Sequence, residues 1–167
     1  MRHKFTLIFI IVVALIVLAT FIGFTSYTRA SVERRRAESR ENMATIYQAL
    51  SAYANDHAHT FPNDPAQMRE FLKYISEPQC LVNPSWPDES YIYVSGVRSD
   101  SVNAGNAPDT MILLESVPAQ KQKQGRLAVT LDGQVHGYSE SEFEARLETQ
   151  QNRWRVEDRR WQLVPLR

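Results

Sequence analysis

Two histidines and an aspartate near the middle of the chain are the first side chains whose types suggest chemistry. Asp56, His57 and His59 fall within four successive positions, and aspartate and histidine both bind zinc. Residues two positions apart on a helix do not face each other, so the side chains of His57 and His59 diverge. The spacing therefore favours His57 as a residue at the negative end of a helix dipole over a metal ligand.

The single cysteine, Cys80, is a second candidate, because it could act as a nucleophile with His57 or His136. A reactive cysteine needs a nearby positive charge, and no basic residue lies within several positions of Cys80. The pattern favours a small apolar residue inside the domain. No P-loop, dinucleotide-binding, zinc-protease or Cys-x-x-Cys motif is present. The sequence therefore predicts no enzyme and no catalytic residue.

A polar segment between residues 98 and 110 carries four oxygen-bearing side chains, Asp100, Asn103, Asn106 and Asp109. Calcium prefers such oxygen ligands. Their spacing is not that of an EF-hand loop, and polar loops are usually solvated, so calcium is the weaker of the two interpretations. No other cofactor is predicted.

Positive charge is concentrated in two short segments of the chain. Overall, nineteen Lys and Arg balance nineteen Asp and Glu. This zero net charge gives no reason to expect a nucleic-acid partner. Arg34, Arg35 and Arg36 either contact anionic lipid headgroups or form a solvated helix face. The C-terminal extension is rich in Trp and Arg, which are enriched in binding surfaces. Its spacing from Leu147 favours tryptophans that complete the core instead. The residues concerned are Arg153, Trp154, Arg155, Arg159, Arg160 and Trp161.

An uncharged segment extends from Phe5 to Thr28 and is almost wholly apolar as far as Phe24. About 20 such residues span the hydrocarbon core of a membrane as a helix. A cleaved signal peptide is the alternative, but its apolar region is only about 7–15 residues long. The sequence therefore predicts a retained transmembrane anchor with membrane lipid as a partner. The anchoring side chains are Phe5, Leu7, Phe9, Leu15 and Phe24.

The helix is predicted to continue past the membrane, because no Pro or Gly occurs between Ser31 and Asp56. Apolar residues at three- and four-residue spacing lie on one face of this part and should form the domain core. They are Met43, Ile46, Leu50 and Tyr53.

Local signals predict the remaining elements. Asp64, Pro65 and Gln67 indicate the start of a short helix that ends near Ile75. Alternation with period two predicts strands over residues 91–95, 111–115, 126–131 and 134–138. Asp132-Gly133 predicts a two-residue turn in which both residues have positive φ. Ser139 and Glu142 form a capping box that opens a helix.

The C-terminal helix either continues through Trp154 towards Trp161 or is followed by an extra strand over residues 161–164. The predicted fold is α+β: a long N-terminal helix, transmembrane and then amphipathic, packed on a small antiparallel sheet, with a C-terminal helix. The predicted divisions are an anchor (1–30), a soluble domain (31–151) and a C-terminal extension (152–167).

These segments resemble type IV pilin-like proteins, including the pseudopilins of type II secretion. Phe5-Thr6-Leu7-Ile8 resembles their N-terminal methylation motif. Residues 43–62 are similar to their helix-to-loop segment, and residues 131–135 with 139–143 to their closing hairpin and helix. The resemblance covers roughly residues 5–147. It strengthens the interpretation of the polar segment between residues 98 and 110 as a calcium site, because some pseudopilins bind calcium in an inter-strand loop.

Two departures from the pilin-like pattern concern processing and assembly. Lys4 stands where the family's peptidase cuts after glycine. Phe9 stands where the family carries a glutamate thought to pair with a neighbour's N-terminal amine. A charge in lipid is kept only for a function. Together, Lys4 and Phe9 indicate a relative that is not cleaved and does not polymerise.

The resemblance implies a membrane-anchored structural or assembly component of a secretion or pilus-type system. Its partners would be other pilin-like or secretion-system proteins, or a second copy. The alternative is a membrane-tethered protein-binding module of the cell envelope. The arginines after the span favour a cytoplasmic domain, whereas the resemblance implies the periplasmic side of the inner membrane. We expect the latter, because long domains translocate largely regardless of charge.

Overall fold

The computed structural model describes residues 2–95, 97, 107–117, 121, 125–156 and 163–166, and the side chains of all of these except 2–11, 107, 152–156 and 163–165. The chain divides into two compact units, residues 1–37 and 38–167. Helix α1 (Arg2–Asp56) begins in the first unit and ends in the second. No Pro or Gly interrupts it after Gly23, which accounts for its continuity.

The first unit contains the apolar part of α1 and the charged residues that follow it, as far as residue 37. By length and composition, α1 is long and apolar enough to cross a membrane, and it lies near the N-terminus. The hydroxyls of Thr20, Thr25 and Thr28 donate to carbonyl oxygens three or four positions earlier in the helix. These bonds satisfy the polar side chains within the helix itself, as a lipid environment requires.

The second unit is an α+β domain, which confirms the predicted fold class. After α1 come α2 (Pro65–Phe71), β1 (Tyr91–Val94), β2 (Met111–Glu115), β3 (Arg126–Thr130), β4 (Val135–Tyr138), α3 (Glu140–Val156) and β5 (Leu163–Pro165). Short 3-10 helices cover Leu72–Tyr74, Pro78–Leu81 and Ala107–Asp109. The strands form one antiparallel sheet in the order β4-β3-β2-β1-β5.

The core lies between the sheet and the second part of α1. Met43, Ile46, Leu50 and Tyr53 are at most 1 % exposed and belong to one cluster with side chains of α2, α3 and the sheet. Burying a large apolar side chain contributes about 1.5–3 kcal/mol. The stripe at helical spacing therefore fastens the helix to the sheet.

The loop between β3 and β4 differs from the predicted two-residue turn, and that prediction is wrong. Gly133 N–H donates to the Thr130 carbonyl, and Thr130 N–H donates to the Gln134 carbonyl, so three residues form the loop. Gly133 has φ 84°, whereas Asp132 does not have a positive φ. This is a type I turn closed by a left-handed glycine. The Tyr47 hydroxyl of α1 donates to the Leu131 carbonyl at 2.6 Å and holds Leu131 in the loop.

Each of the two structures predicted for the C-terminal region, a long helix and an extra strand, is partly present. Helix α3 extends beyond Trp154 to Val156, and a separate short strand, β5, pairs with β1. Trp161 lies outside the described residues.

Candidate functional site

A buried carboxylate at the end of β2 is the most unusual polar group of the domain. All five residues of β2 are buried, and the last of them, Glu115, is only 4 % exposed. An apolar strand covered on both faces normally carries no charge, because a buried carboxylate is costly unless it is hydrogen-bonded. The surroundings of Glu115 must therefore supply donors.

Three donors from three different parts of the chain meet at this carboxylate. The Ser39 hydroxyl donates to Oε1 at 3.0 Å, the Asn83 side-chain amide donates to Oε1 at 3.2 Å, and the Leu127 N–H donates to Oε2 at 3.1 Å. Ser39 belongs to α1, Asn83 to the segment before β1, and Leu127 to β3. Glu115 thus joins α1, this segment and β3 to β2.

A second layer of hydrogen bonds orients these donors. Because the Ser39 hydroxyl gives its only hydrogen to Glu115, it accepts from the Tyr91 hydroxyl, 3.0 Å away. Burial raises the pKa of Tyr91 to about 12, so this hydroxyl remains a donor at neutral pH. The Asn83 side-chain oxygen accepts from Ser85 N–H at 2.9 Å and Trp86 N–H at 3.2 Å. We call Ser39, Asn83, Tyr91 and Glu115 the buried polar cluster.

The electrostatics of the cluster are those of a neutral hydrogen-bond network around one carboxylate. All donors to Glu115 are neutral, and within the described part of the chain no Lys, Arg or His forms an ion pair with it. No buried side-chain N or O among the described residues lacks a partner. A fully satisfied network of this kind fixes one packing arrangement. Its hydrogen bonds fix the position at which the second part of α1 contacts the sheet.

Comparison with family models, with curated proteins and with solved structures finds no match.

His57 lies at the end of α1, as its spacing indicated. Its ring stacks on Tyr53, with 3.9 Å between the centroids, and its Nδ1 is 2.8 Å from the Tyr53 carbonyl oxygen. Because a carbonyl only accepts, Nδ1 carries the hydrogen. Nε2 lies 3.5 Å from Glu70 Oε1. These contacts join the end of α1 to α2. No group of three metal-binding side chains occurs among the described residues.

The other candidates for chemistry are Cys80 and the four residues of the polar segment. Cys80 is buried, and this burial, followed by the charge of Glu77, raises the pKa of its thiol, which disfavours the reactive thiolate. Of the four candidate calcium ligands, Asp100, Asn103 and Asn106 lie outside the described residues. Asp109 is exposed and pairs with Arg146 at 3.1 Å.

The predicted membrane residues all lie on α1. Arg34 and Arg35 are exposed and Arg36 is partly buried. Leu15 and Phe24 are exposed along the apolar part of the helix. Phe5, Leu7 and Phe9 belong to the same helix, in the part whose side chains are not described.

The buried polar cluster did not emerge from the sequence analysis. From the sequence, Glu115 is only the last residue of a predicted strand, and no local pattern marks Ser39 or Asn83. The available signal was a carboxylate directly after four apolar strand residues, Met111 to Leu114. A charge in that position is either exposed at the strand end or buried and bonded, and only long-range contacts decide between them.

Proposed function

We propose that this protein is a pilin-like, membrane-anchored structural component of a cell-envelope assembly, such as a secretion or pilus-type system. The observation that carries the proposal is that the two parts of α1 differ in character. Residues 5–28 of α1 are uncharged and almost wholly apolar, which is enough to cross a membrane. Its second part supplies four fully buried side chains to a small antiparallel sheet. A helix used in this way anchors a domain and forms its core.

The buried polar cluster supports a structural role. Ser39 is the first fully buried residue of α1 in the second unit. Its bond to Glu115 fixes the helix against β2 at that point. A domain whose core includes the continuation of its membrane helix suits an assembly component. Its neighbours would be other pilin-like or secretion-system proteins, or a second copy.

The proposed location is the inner membrane, with the domain on the periplasmic side. Arg34 and Arg35 are exposed shortly after the span, where each could contribute about 1 kcal/mol at an anionic surface. Lipid headgroups are therefore the proposed contact of the arginine run.

A membrane-tethered binding module is the second candidate. Phe9 favours it, because an apolar residue there lacks the charge through which pilin-like subunits are thought to contact each other. Such a protein would recruit a partner without assembling into a polymer.

Site-specific photo-crosslinking in membranes tests the proposal. The crosslinker is placed at Phe24 or Tyr27, which are exposed, with Met43, which is buried, as the matched control position. We expect protein adducts from the exposed positions and none from the control. Adducts identified as pilin-like or secretion-system proteins, or as a second copy, support the proposal. Adducts to lipid alone, or to one unrelated soluble protein, contradict it, and the latter favours the binding module.

A further inference from the structure

A groove beside the segment that precedes β1 has the properties of a peptide-docking surface. It encloses about 420 Å³. Its apolar wall comes from Leu81, Val82, Pro87 and Leu166, and its rim carries Asp88 and Glu89. We call this surface the acidic groove.

The acidic groove presents an apolar side chain that the domain itself leaves uncovered. Val82 is 52 % exposed, and in the described part of residues 38–167 it is the only exposed large hydrophobic side chain. The other large hydrophobic side chains in the described part of the domain are buried or partly buried. Apolar surface that is concave and solitary is suited to receive one aliphatic side chain from a partner.

The backbone of the groove is held in place before any partner arrives. The Asn42 side-chain amide donates to the Val82 carbonyl at 3.2 Å, and Val82 pairs with Ser90 as an isolated antiparallel bridge. The Glu89 carboxylate accepts from the Ser116 hydroxyl at 2.9 Å. Such pre-organisation lowers the entropy lost on binding.

The charge of the groove selects the partner. Asp88 and Glu89 are its charged groups, and none of the described lining residues is Lys or Arg. A negative rim around an apolar centre attracts cationic side chains and repels acidic ones. An extended segment with Lys or Arg on each side of an aliphatic residue satisfies both features at once.

We propose that the acidic groove docks a short, extended segment of a partner protein in which an aliphatic side chain lies between basic residues. The aliphatic side chain contacts Val82 and Pro87, and the basic residues lie beside Asp88 and Glu89. The groove would serve a pilin-like component or a binding module equally well, so its failure leaves the proposed function standing.

Peptide binding to the full chain tests the proposal. The protein is placed in phosphatidylcholine nanodiscs, which carry no net charge and do not attract a cationic probe. The probe is a fluorescein-labelled peptide of alternating arginine and valine, and binding is followed by fluorescence anisotropy. Control peptides replace arginine by glutamate, or valine by serine. We expect saturable binding of the probe, and at least about tenfold weaker binding of each control peptide.

Variants then locate the binding surface. Val82→Ser and Asp88→Asn should each weaken probe binding about tenfold, and Asp88→Asn should also reduce its salt dependence. The matched controls are Val32→Ser and Glu144→Gln, which change exposed residues outside the groove and should leave binding unchanged. Unchanged thermal melting of the groove variants verifies that they fold.

Three results would overturn the proposal. They are equal binding of the basic and acidic peptides, binding that Val82→Ser and Asp88→Asn leave unchanged, and absence of probe binding. If sedimentation shows self-association that Val82→Ser abolishes while the probe does not bind, the occupant is a second copy.

Discussion

At the scale of the residue, Glu115 shows how neutral hydrogen-bond donors can hold a buried carboxylate. Its two oxygens receive three neutral donors, and Ser39 is in turn oriented by Tyr91. Each donor left without an acceptor in a buried site costs about 1–3 kcal/mol. The cluster is therefore sensitive to any change that removes an acceptor oxygen.

Substitutions at Glu115 should distinguish loss of one acceptor from loss of all. Glu115→Gln replaces one oxygen by a donor and should lower the free energy of unfolding by about 1–3 kcal/mol. Glu115→Leu leaves Ser39, Asn83 and the Leu127 N–H without their acceptor and should cost about 3 kcal/mol or more. Thermal unfolding in detergent measures both changes. Glu144→Gln, at an exposed site, should change stability by less than about 0.5 kcal/mol. Equal stability of wild type and Glu115→Leu would contradict the role of the cluster.

The end of α1 contains a second residue-level feature, two successive left-handed residues that are not glycine. Ala58 has φ 53° and His59 has φ 59°, and the His59 N–H donates to the Ala54 carbonyl at 2.7 Å. This helix ending usually uses glycine, because a Cβ makes the left-handed conformation cost roughly 1–2 kcal/mol.

Ala58→Gly should therefore stabilise the protein by about 1 kcal/mol and raise the melting temperature. The same substitution at Ala52, an exposed position inside α1, should destabilise it by about 0.5–1 kcal/mol. Two melting curves measured in parallel reveal the opposite signs. A lower melting temperature for Ala58→Gly would show that its backbone conformation is not a source of strain.

At the scale of the element, α3 is positioned by side chains that contact the sheet directly. Arg126 of β3 lies over the Phe143 ring at 4.7 Å and donates two hydrogen bonds to Glu140. The Gln150 side-chain amide pairs with both the N–H and the carbonyl of Met111, each at 2.8 Å. Gln150 thus replaces a neighbouring strand next to the irregular register between Met111 and Leu113.

The start of α3 has a capping box whose strength should depend on pH. Glu142 Oε2 accepts from the Ser139 hydroxyl at 2.7 Å and from the Ser139 N–H at 2.9 Å. These bonds, the hydroxyl first, lower the pKa of Glu142 from 4.5. Because the folded pKa lies below the unfolded one, the stabilisation is complete above the unfolded value and is lost as the pH falls through the folded value.

Glu142→Gln should accordingly be less stable than wild type at about pH 7, and the difference should be smaller at about pH 3. Urea denaturation at the two pH values measures it. Glu144→Gln, which changes a neighbouring exposed carboxylate of α3, controls for the general loss of charge. A difference of the same size at both pH values would mean that the ionised carboxylate does not act in the cap.

At the scale of the whole molecule, the second part of α1 belongs to the folded domain. The compact second unit begins at Glu38, one residue before Ser39 of the buried polar cluster. The domain should therefore tolerate removal of the first unit but not of the whole helix.

Truncations test how much of α1 the domain needs. A fragment that starts at Glu38 should melt cooperatively, and one that starts after Asn42 should be less stable because Glu115 loses Ser39. A fragment that starts after Asn55 should not fold. It lacks Met43, Ile46, Leu50 and Tyr53, each worth about 1.5–3 kcal/mol of burial, against a typical total stability of about 5–15 kcal/mol. If this shortest fragment melts at the same temperature as the longest, the helix is only a stalk.

The side of the membrane on which the domain lies is a further prediction at this scale. Reporter proteins fused after Arg167 should be active if they function in the periplasm and inactive if they function only in the cytoplasm. A double substitution that reverses charge, Arg34→Glu with Arg35→Glu, should leave this reporter pattern unchanged, because a long domain translocates largely regardless of charge. The opposite reporter pattern would agree with the count of arginines after the span.

The sequence by itself determined the elements whose signals are local. The uncharged span, the stripe at Met43, Ile46, Leu50 and Tyr53, the four main strands and the cap at Ser139 each depend on neighbours two to four positions apart, or on a continuous run. Such patterns can be read without knowing the fold. They were enough to establish the α+β class and the antiparallel order of the first four strands.

Only the tertiary structure decided which polar groups meet inside the domain. The donors to Glu115 come from residues 76, 32 and 12 positions away. Gln150 reaches Met111 across 39 positions, and Tyr47 reaches Leu131 across 84. A polar side chain is stable inside a protein only where its partners converge, and convergence is a property of packing between distant elements. The same residue at a strand end is an ordinary exposed charge until the helix and its neighbours enclose it.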